Sequence, residues 1–94
     1  MEDWRTNLLC VSEKHRIVIF AIVSQLYVYE LDILTFEVGT RLTIINLNNN
    51  NSIINNIRLV TCAQVDFIIT VDEGSFVRMF YLDDLNREPI KFTN

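Results

Sequence analysis

Val71-Asp72-Glu73-Gly74-Ser75-Phe76-Val77-Arg78-Met79-Phe80 is the stretch on which the reading of this chain turns. Asp72-Glu73-Gly74-Ser75 is its best turn signal, with Gly74 placed to take a positive φ. An apolar run over 67–71 enters that turn. The stretch 76–82 leaves it, aromatic and β-branched and without helical spacing, so it reads as a second strand.

Working outward, the same grammar covers the rest of the chain. The segment 57–62 is a strand, 63–66 a turn, and 90–92 a last short strand after Pro89. In the first half, 7–12 is a short strand ended by Glu13-Lys14-His15. Residues 16–23 are almost continuously apolar, as suits a strand covered on both faces. Ser24-Gln25 breaks that run, and the short link to 26–31 implies an antiparallel hairpin. Over 37–47, Val38, Thr40, Leu42 and Ile44 alternate with Gly39, Arg41 and Thr43, giving a further strand. Residues 46–56 contain Asn48-Asn49-Asn50-Asn51, whose amides cannot form a core, and read as a surface loop. With two Gly and one Pro, the turns fall mainly to Asn, Asp, Ser and Glu.

Two stretches superpose. Phe20-Ala21-Ile22-Val23, a polar turn and then 26–32 parallel Ile69-Thr70-Val71, a polar turn and then 76–83. Tyr29 falls opposite Phe80, a spacing of 51. Repeats of roughly 40–50 residues are typical of propeller blades.

At these residues the pattern resembles the WD repeat, whose blades carry an apolar strand, an acidic-Gly turn and a strand of the Val-Arg-Val-Trp kind. Phe80 takes the Trp place in the second copy and Tyr29 in the first. No Gly-His or Trp-Asp pair is present. A narrower resemblance rests on Trp4 to Asn7, Ser12-Glu13-Lys14-His15, Leu26-Tyr27-Val28-Tyr29, Asn56-Ile57-Arg58-Leu59-Val60 and Thr70-Val71-Asp72-Glu73. These look like the amino-terminal region of a fungal family of WD-repeat-like regulators of ribonucleotide reductase transcription, and the Asn tract is at home in a yeast-like proteome. That resemblance implies a nuclear or nucleocytoplasmic scaffold for protein partners in a regulatory complex, with no catalytic residues to carry over.

The expected fold is therefore all-β: antiparallel sheets forming one to two blades of a WD40-like β-propeller, with 1–94 as a partial propeller. The blade-like units are about 7–47 and 56–92, joined by the Asn-rich loop 46–56. Blades hide their broad faces against neighbours, and fewer than about three repeats rarely stand alone. The expectation is that the polypeptide continues beyond Asn94, with assembly or closure as a small sandwich as alternatives.

Composition narrows the function. The 94 residues are 50% hydrophobic and 21% charged, which excludes a disordered chain by composition. A net charge of −4 with dispersed Lys and Arg argues against direct nucleic-acid binding. No secretory signal opens the chain, and the apolar run 17–23 is far short of the ~20 residues of a membrane helix, so the expected place is intracellular.

Catalytic chemistry finds no footing. His15 reads as an exposed turn residue with no carboxylate orienter beyond Glu13. Cys10 and Cys62 read as buried free thiols, lacking the electropositive setting of a reactive cysteine. No Cys-x-x-Cys or His pair offers a metal site. Asp72-Glu73 and Asp83-Asp84 read as solvated turns. Tyr27, Tyr29, Phe76, Phe80 and Tyr81 read as packing between blades, and Trp4 as pinning the amino terminus to the sheet. The expectation is no enzyme, no catalytic, cofactor or metal residues and no cofactor, but an interaction scaffold. The competing expectation is a small self-contained β domain that dimerises or binds a ligand through sheet edges.

Overall fold

The computed structural model describes residues 7–47 and 52–92. Trp4 and the Asn48–Asn51 run, which carried two of the expectations above, lie outside them. The described chain is all-β, with eight strands: β1 (Leu9–Ser12), β2 (Ile17–Ile22), β3 (Gln25–Asp32), β4 (Glu37–Asn46), β5 (Ile54–Cys62), β6 (Val65–Asp72), β7 (Val77–Tyr81) and β8 (Ile90–Phe92). They form two four-stranded antiparallel meanders, β1-β2-β3-β4 and β5-β6-β7-β8. Within each sheet sequential neighbours pair, because the links between them are short enough for a hairpin turn or a brief loop.

Register decides which side chains share a face. In the first sheet Cys10 lies opposite Ile19, Ile19 opposite Val28, and Ala21 opposite Leu26. In the second, Leu59 lies opposite Ile68, and Ile68 opposite Phe80. These two faces meet. Ile17, Ile19, Ala21, Leu26 and Val28 pack with Ile54, Ile57, Ile68, Phe80 and Leu82 in one buried cluster. Each fully buried aliphatic or aromatic side chain contributes about 1.5–3 kcal/mol relative to exposure. The sheets come nearest where β5 runs against β1 and β2. There Asn7 clamps them: its carbonyl accepts from the Ile57 amide at 2.7 Å, and its Nδ2 donates to the Ile57 carbonyl at 2.9 Å.

Two equivalent backbone bonds relate one sheet to the other. The Leu31 amide donates to the Arg16 carbonyl at 2.9 Å, and the Leu82 amide donates to the Asp66 carbonyl at 2.9 Å. Aligned on them, Val18 corresponds to Ile68, Tyr29 to Phe80 and Leu31 to Leu82. Phe80 faces the first sheet, but Tyr29 lies on the face of the first sheet that turns away from the second. The sheets thus follow one another by repetition, each turning corresponding faces the same way, as adjacent blades do. A two-fold symmetric sandwich would instead turn corresponding residues toward each other.

Several local expectations change. No glycine takes a positive φ; in the β6–β7 turn that conformation falls on Ser75 at 65°, one residue past Gly74. Val23, read as strand, sits in the β2–β3 turn at φ 55°. Ile54–Asn56, read as the end of the Asn-rich loop, open β5, because Ile54 pairs with Asp72 and its amide is held by the Val23 carbonyl at 2.7 Å. Val65 and Asp66, read as turn, belong to β6. The even alternation expected of β4 is broken by irregularities opposite Val28–Leu31. Such bulges re-aim side chains: Ile44 meets Tyr27, Arg41 meets Tyr29 and Val38 meets Leu31.

Candidate interaction surface

Two polar ties fix the framework on which any surface is displayed. Asp72 ends β6 and is only 5% exposed, so it is not the solvated turn residue its sequence context implied. Its Oδ1 accepts from the amides of Gly74 at 2.9 Å and Phe76 at 3.1 Å, and its Oδ2 accepts from Arg78 Nη1 at 3.0 Å. A short acidic side chain that binds the backbone two and four residues on holds the turn, and its left-handed position falls on Ser75 rather than on a glycine. Glu73, Asp83 and Asp84 are exposed, as read.

The second tie joins the sheets. The β1–β2 turn places His15 so that its Nε2 lies 2.8 Å from Asp66 Oδ2, and Lys14 Nζ reaches the same oxygen at 3.1 Å. Thr61 Oγ1 donates to Asp66 Oδ1 at 2.6 Å. An ionised carboxylate only accepts, so His15 carries its proton on Nε2. The hydrogen bonds from Thr61, His15 and Lys14 hold the Asp66 carboxyl well below the usual carboxylate range. His15 therefore does have a carboxylate partner, supplied by a strand 51 residues away rather than by Glu13. Nothing in local sequence could have announced it.

The thiols part company. Cys10 is half-buried, accepts a long contact from Asn7 and points its Sγ at the Ile57 carbonyl, and burial pushes its pKa up. Cys62 is exposed, contrary to the buried reading, because it closes β5 at the β5–β6 turn. Both are free. Among the described residues no group of three or more His, Cys, Asp and Glu could hold a metal ion. No described helix is long and apolar enough to cross a membrane.

The conspicuous surfaces are the two outward sheet faces. On the first sheet Leu9, Val18, Phe20, Tyr27 and Tyr29 share the face that turns away from the second sheet. Phe20 stacks with Tyr27 at 5.6 Å and 6°, and with Tyr29 at 5.5 Å and 9°. On the second sheet the outward face carries Phe67, Ile69, Val77, Met79 and Tyr81, with Phe92 beside Val77. Phe67 and Tyr81 meet at 5.1 Å, and the Arg87 guanidinium lies 4.0 Å over the Tyr81 ring. Of the five aromatics singled out in sequence, only Phe80 packs in the core shared by the two sheets; Tyr27, Tyr29 and Tyr81 face outward. Phe76 sits in the β6–β7 turn with Arg78 5.8 Å from its ring centroid.

Two smaller features flank these faces. At the β3–β4 turn Asp32 Oδ1 accepts from the amides of Leu34 and Thr35, which lowers its pKa, and the tip presents Leu34, 89% exposed, and Phe36, 69% exposed. Between the end of β4 and the β7–β8 connection runs a groove over Leu47 and Phe80, rimmed by Arg78, Arg87 and Lys91. Those three cations are engaged by Asp72, the Tyr81 ring and Glu88.

Over 96 aligned residues the chain is 30% identical to a WD40 repeat-containing protein of Dictyostelium discoideum, and the alignment takes in 97% of the chain. The fold is WD-repeat-like. The chain spans 13% of the length of that relative. No family model matches it, and no solved structure matches it at a significant level. The two four-stranded antiparallel sheets are consistent with a fragment of WD40-like blades.

Proposed function

We propose that the chain supplies two blades of a propeller scaffold that binds protein partners and carries out no catalysis of its own. The observation that carries this reading is the repetition of the two sheets with corresponding faces turned the same way, supported by the WD40 relative. Protein contact fits the surface chemistry: aromatic rings, Met and Arg are the side chains enriched in protein interfaces. Here Tyr81, Met79 and Arg87 lie together on one face, and Leu34 and Phe36 at one tip. The acidic balance and the engaged cations give nucleic-acid phosphates little to bind.

The finer reading rests on the resemblance to fungal regulators: a nuclear or nucleocytoplasmic scaffold in a complex that controls ribonucleotide reductase transcription. Affinity capture of the full-length protein from its own cells tests the scaffold, with reproducible co-purifying proteins expected and their absence overturning it. Transcript levels of the reductase genes after deletion test the regulatory role. Unchanged levels, in growth and under nucleotide depletion, overturn that role and leave the scaffold standing.

A further inference from the structure

The contact between the two sheets has two halves, and the chain carries a second copy of each half facing outward. Its first half is Ile19, Ala21, Leu26 and Val28; its second is Ile57, Leu59, Ile68, Phe80 and Leu82. Aligned by the paired bonds of Leu31 and Leu82, the first half corresponds to Ile69, Val71, Val77 and Met79 on the outward face of the second sheet. The second half corresponds to Leu9, Val11, Val18, Tyr29 and Leu31 on the outward face of the first. Each of these correspondences pairs an aliphatic, aromatic or thioether side chain with another, the one added polar group being the Tyr29 hydroxyl.

We infer that the chain associates head to tail with a second copy of itself, the outward face of the second sheet seating on the outward face of the first. The occupant follows from the repetition: the surface that fits Tyr29 as Val28 fits Phe80 is the Met79 face, and the same polypeptide presents both. On these faces Leu9 is 55% and Val11 46% exposed, Tyr29, Ile69, Val71, Val77 and Met79 are half-buried, and Val18 and Leu31 are buried. Contiguous apolar surface of this kind marks interaction sites. The contact is heterologous, so it leaves one free face at each end and closes only when a ring is complete. This inference rests on the blade reading of the two sheets but not on any partner, so failure to capture partners leaves it untouched.

Sedimentation velocity and native mass spectrometry of the whole 94-residue chain test it. Species heavier than 11.0 kDa that grow with concentration are expected. Tyr29→Glu blocks one face and Met79→Glu the other, so each variant alone is expected as a monomer. Mixed together they keep one sound face each, and a one-to-one heterodimer with nothing larger is expected. A wild-type chain that stays monomeric at every attainable concentration overturns the proposal. So does a mixture that never pairs although both variants keep the wild-type circular dichroism.

If either variant unfolds, the unmodified chain still decides. In a sample mixing isotope-labelled and unlabelled copies, filtered Overhauser contacts between the Met79 methyl of one copy and the Tyr29 ring of another are expected. Contacts that pair Tyr29 with Tyr29 indicate a two-fold dimer and overturn the head-to-tail arrangement.

Discussion

Asp72 holds the β6–β7 turn, in which Ser75 rather than a glycine takes the left-handed conformation, and its environment sets the cost of losing it. The carboxylate is buried with Arg78, whose side chain is 11% exposed, and also holds two backbone amides. Removing one partner of a buried pair leaves the other charge uncompensated, which costs about 3–5 kcal/mol. Asp72→Ala is expected to fall in that range in urea unfolding, a large share of the roughly 5–15 kcal/mol that holds a domain folded. Thr70 is the opposite case. Its Oγ1 is buried without a hydrogen-bond partner. Thr70→Val removes an unsatisfied hydroxyl at equal shape, and is expected to be neutral or to stabilise by about 1 kcal/mol. A clear loss of stability on that change means the hydroxyl has a partner after all. Asp66 adds a pH signature. Its folded pKa lies below the ordinary 3.8, so its stabilising contribution is complete above that value and is lost as pH falls below it. Asp66→Asn is therefore expected to lower the denaturation midpoint at neutral pH, and that deficit is expected to shrink in acid below pH 3.8. A deficit that stays constant through that window shows that the carboxylate charge is not what matters.

At the scale of elements, most strands and the places of the turns were legible, and the geometry of the turns was not. Apolar density and β-branching mark β2, β3, β6 and β7 whatever their neighbours do, since any buried strand needs that composition. Turn geometry depends on one backbone dihedral at one position, and a scarcity of glycine leaves no marker for it. Gly74 drew the positive φ in sequence, but the Asp72 side chain anchors the Gly74 and Phe76 amides and shifts the left-handed residue to Ser75. The same blindness covered Val23, a β-branched residue at φ 55° whose side chain is exposed. A left-handed conformation costs a residue with a Cβ roughly 1–2 kcal/mol, and a branched one more than Asn. Val23→Asn keeps the carbonyl that holds Ile54 and gives up little burial, so a gain of about 1 kcal/mol is expected in thermal or urea unfolding. No gain, or a loss, means that the exposed Val23 side chain makes a contact that outweighs the backbone strain. The candidate surface was partly legible for a related reason. Which aromatics exist is written in the sequence, but which face of a strand turns outward depends on register against a sheet that is far away in the chain.

For the whole molecule the question is whether two blade-like sheets of about forty residues each are one folding unit. Neither has a private core: Ile19, Leu26 and Val28 from one side and Ile57, Ile68 and Phe80 from the other make a single cluster, and the clamps at Asn7 and Asp66 also cross between the sheets. Elements in repeat architectures are coupled through such nearest-neighbour contacts, and their cooperativity follows the contact's strength. Phe80 is the largest side chain in the shared core and is 2% exposed. Truncating it to alanine is expected to cost about 3–5 kcal/mol through lost burial and the cavity left behind. Because that cavity opens between the sheets, the loss is expected on both sides of it. Native-state hydrogen exchange reads this directly, since amides of one cooperative unit share one opening free energy. In Phe80→Ala the protected amides of β2 are expected to lose as much protection as those of β6, although β2 contains no altered residue. Protection in β2 that survives while β6 exchanges freely shows that the first sheet stands without the second. In that case the shared cluster is a docking contact between two independent units rather than the core of one.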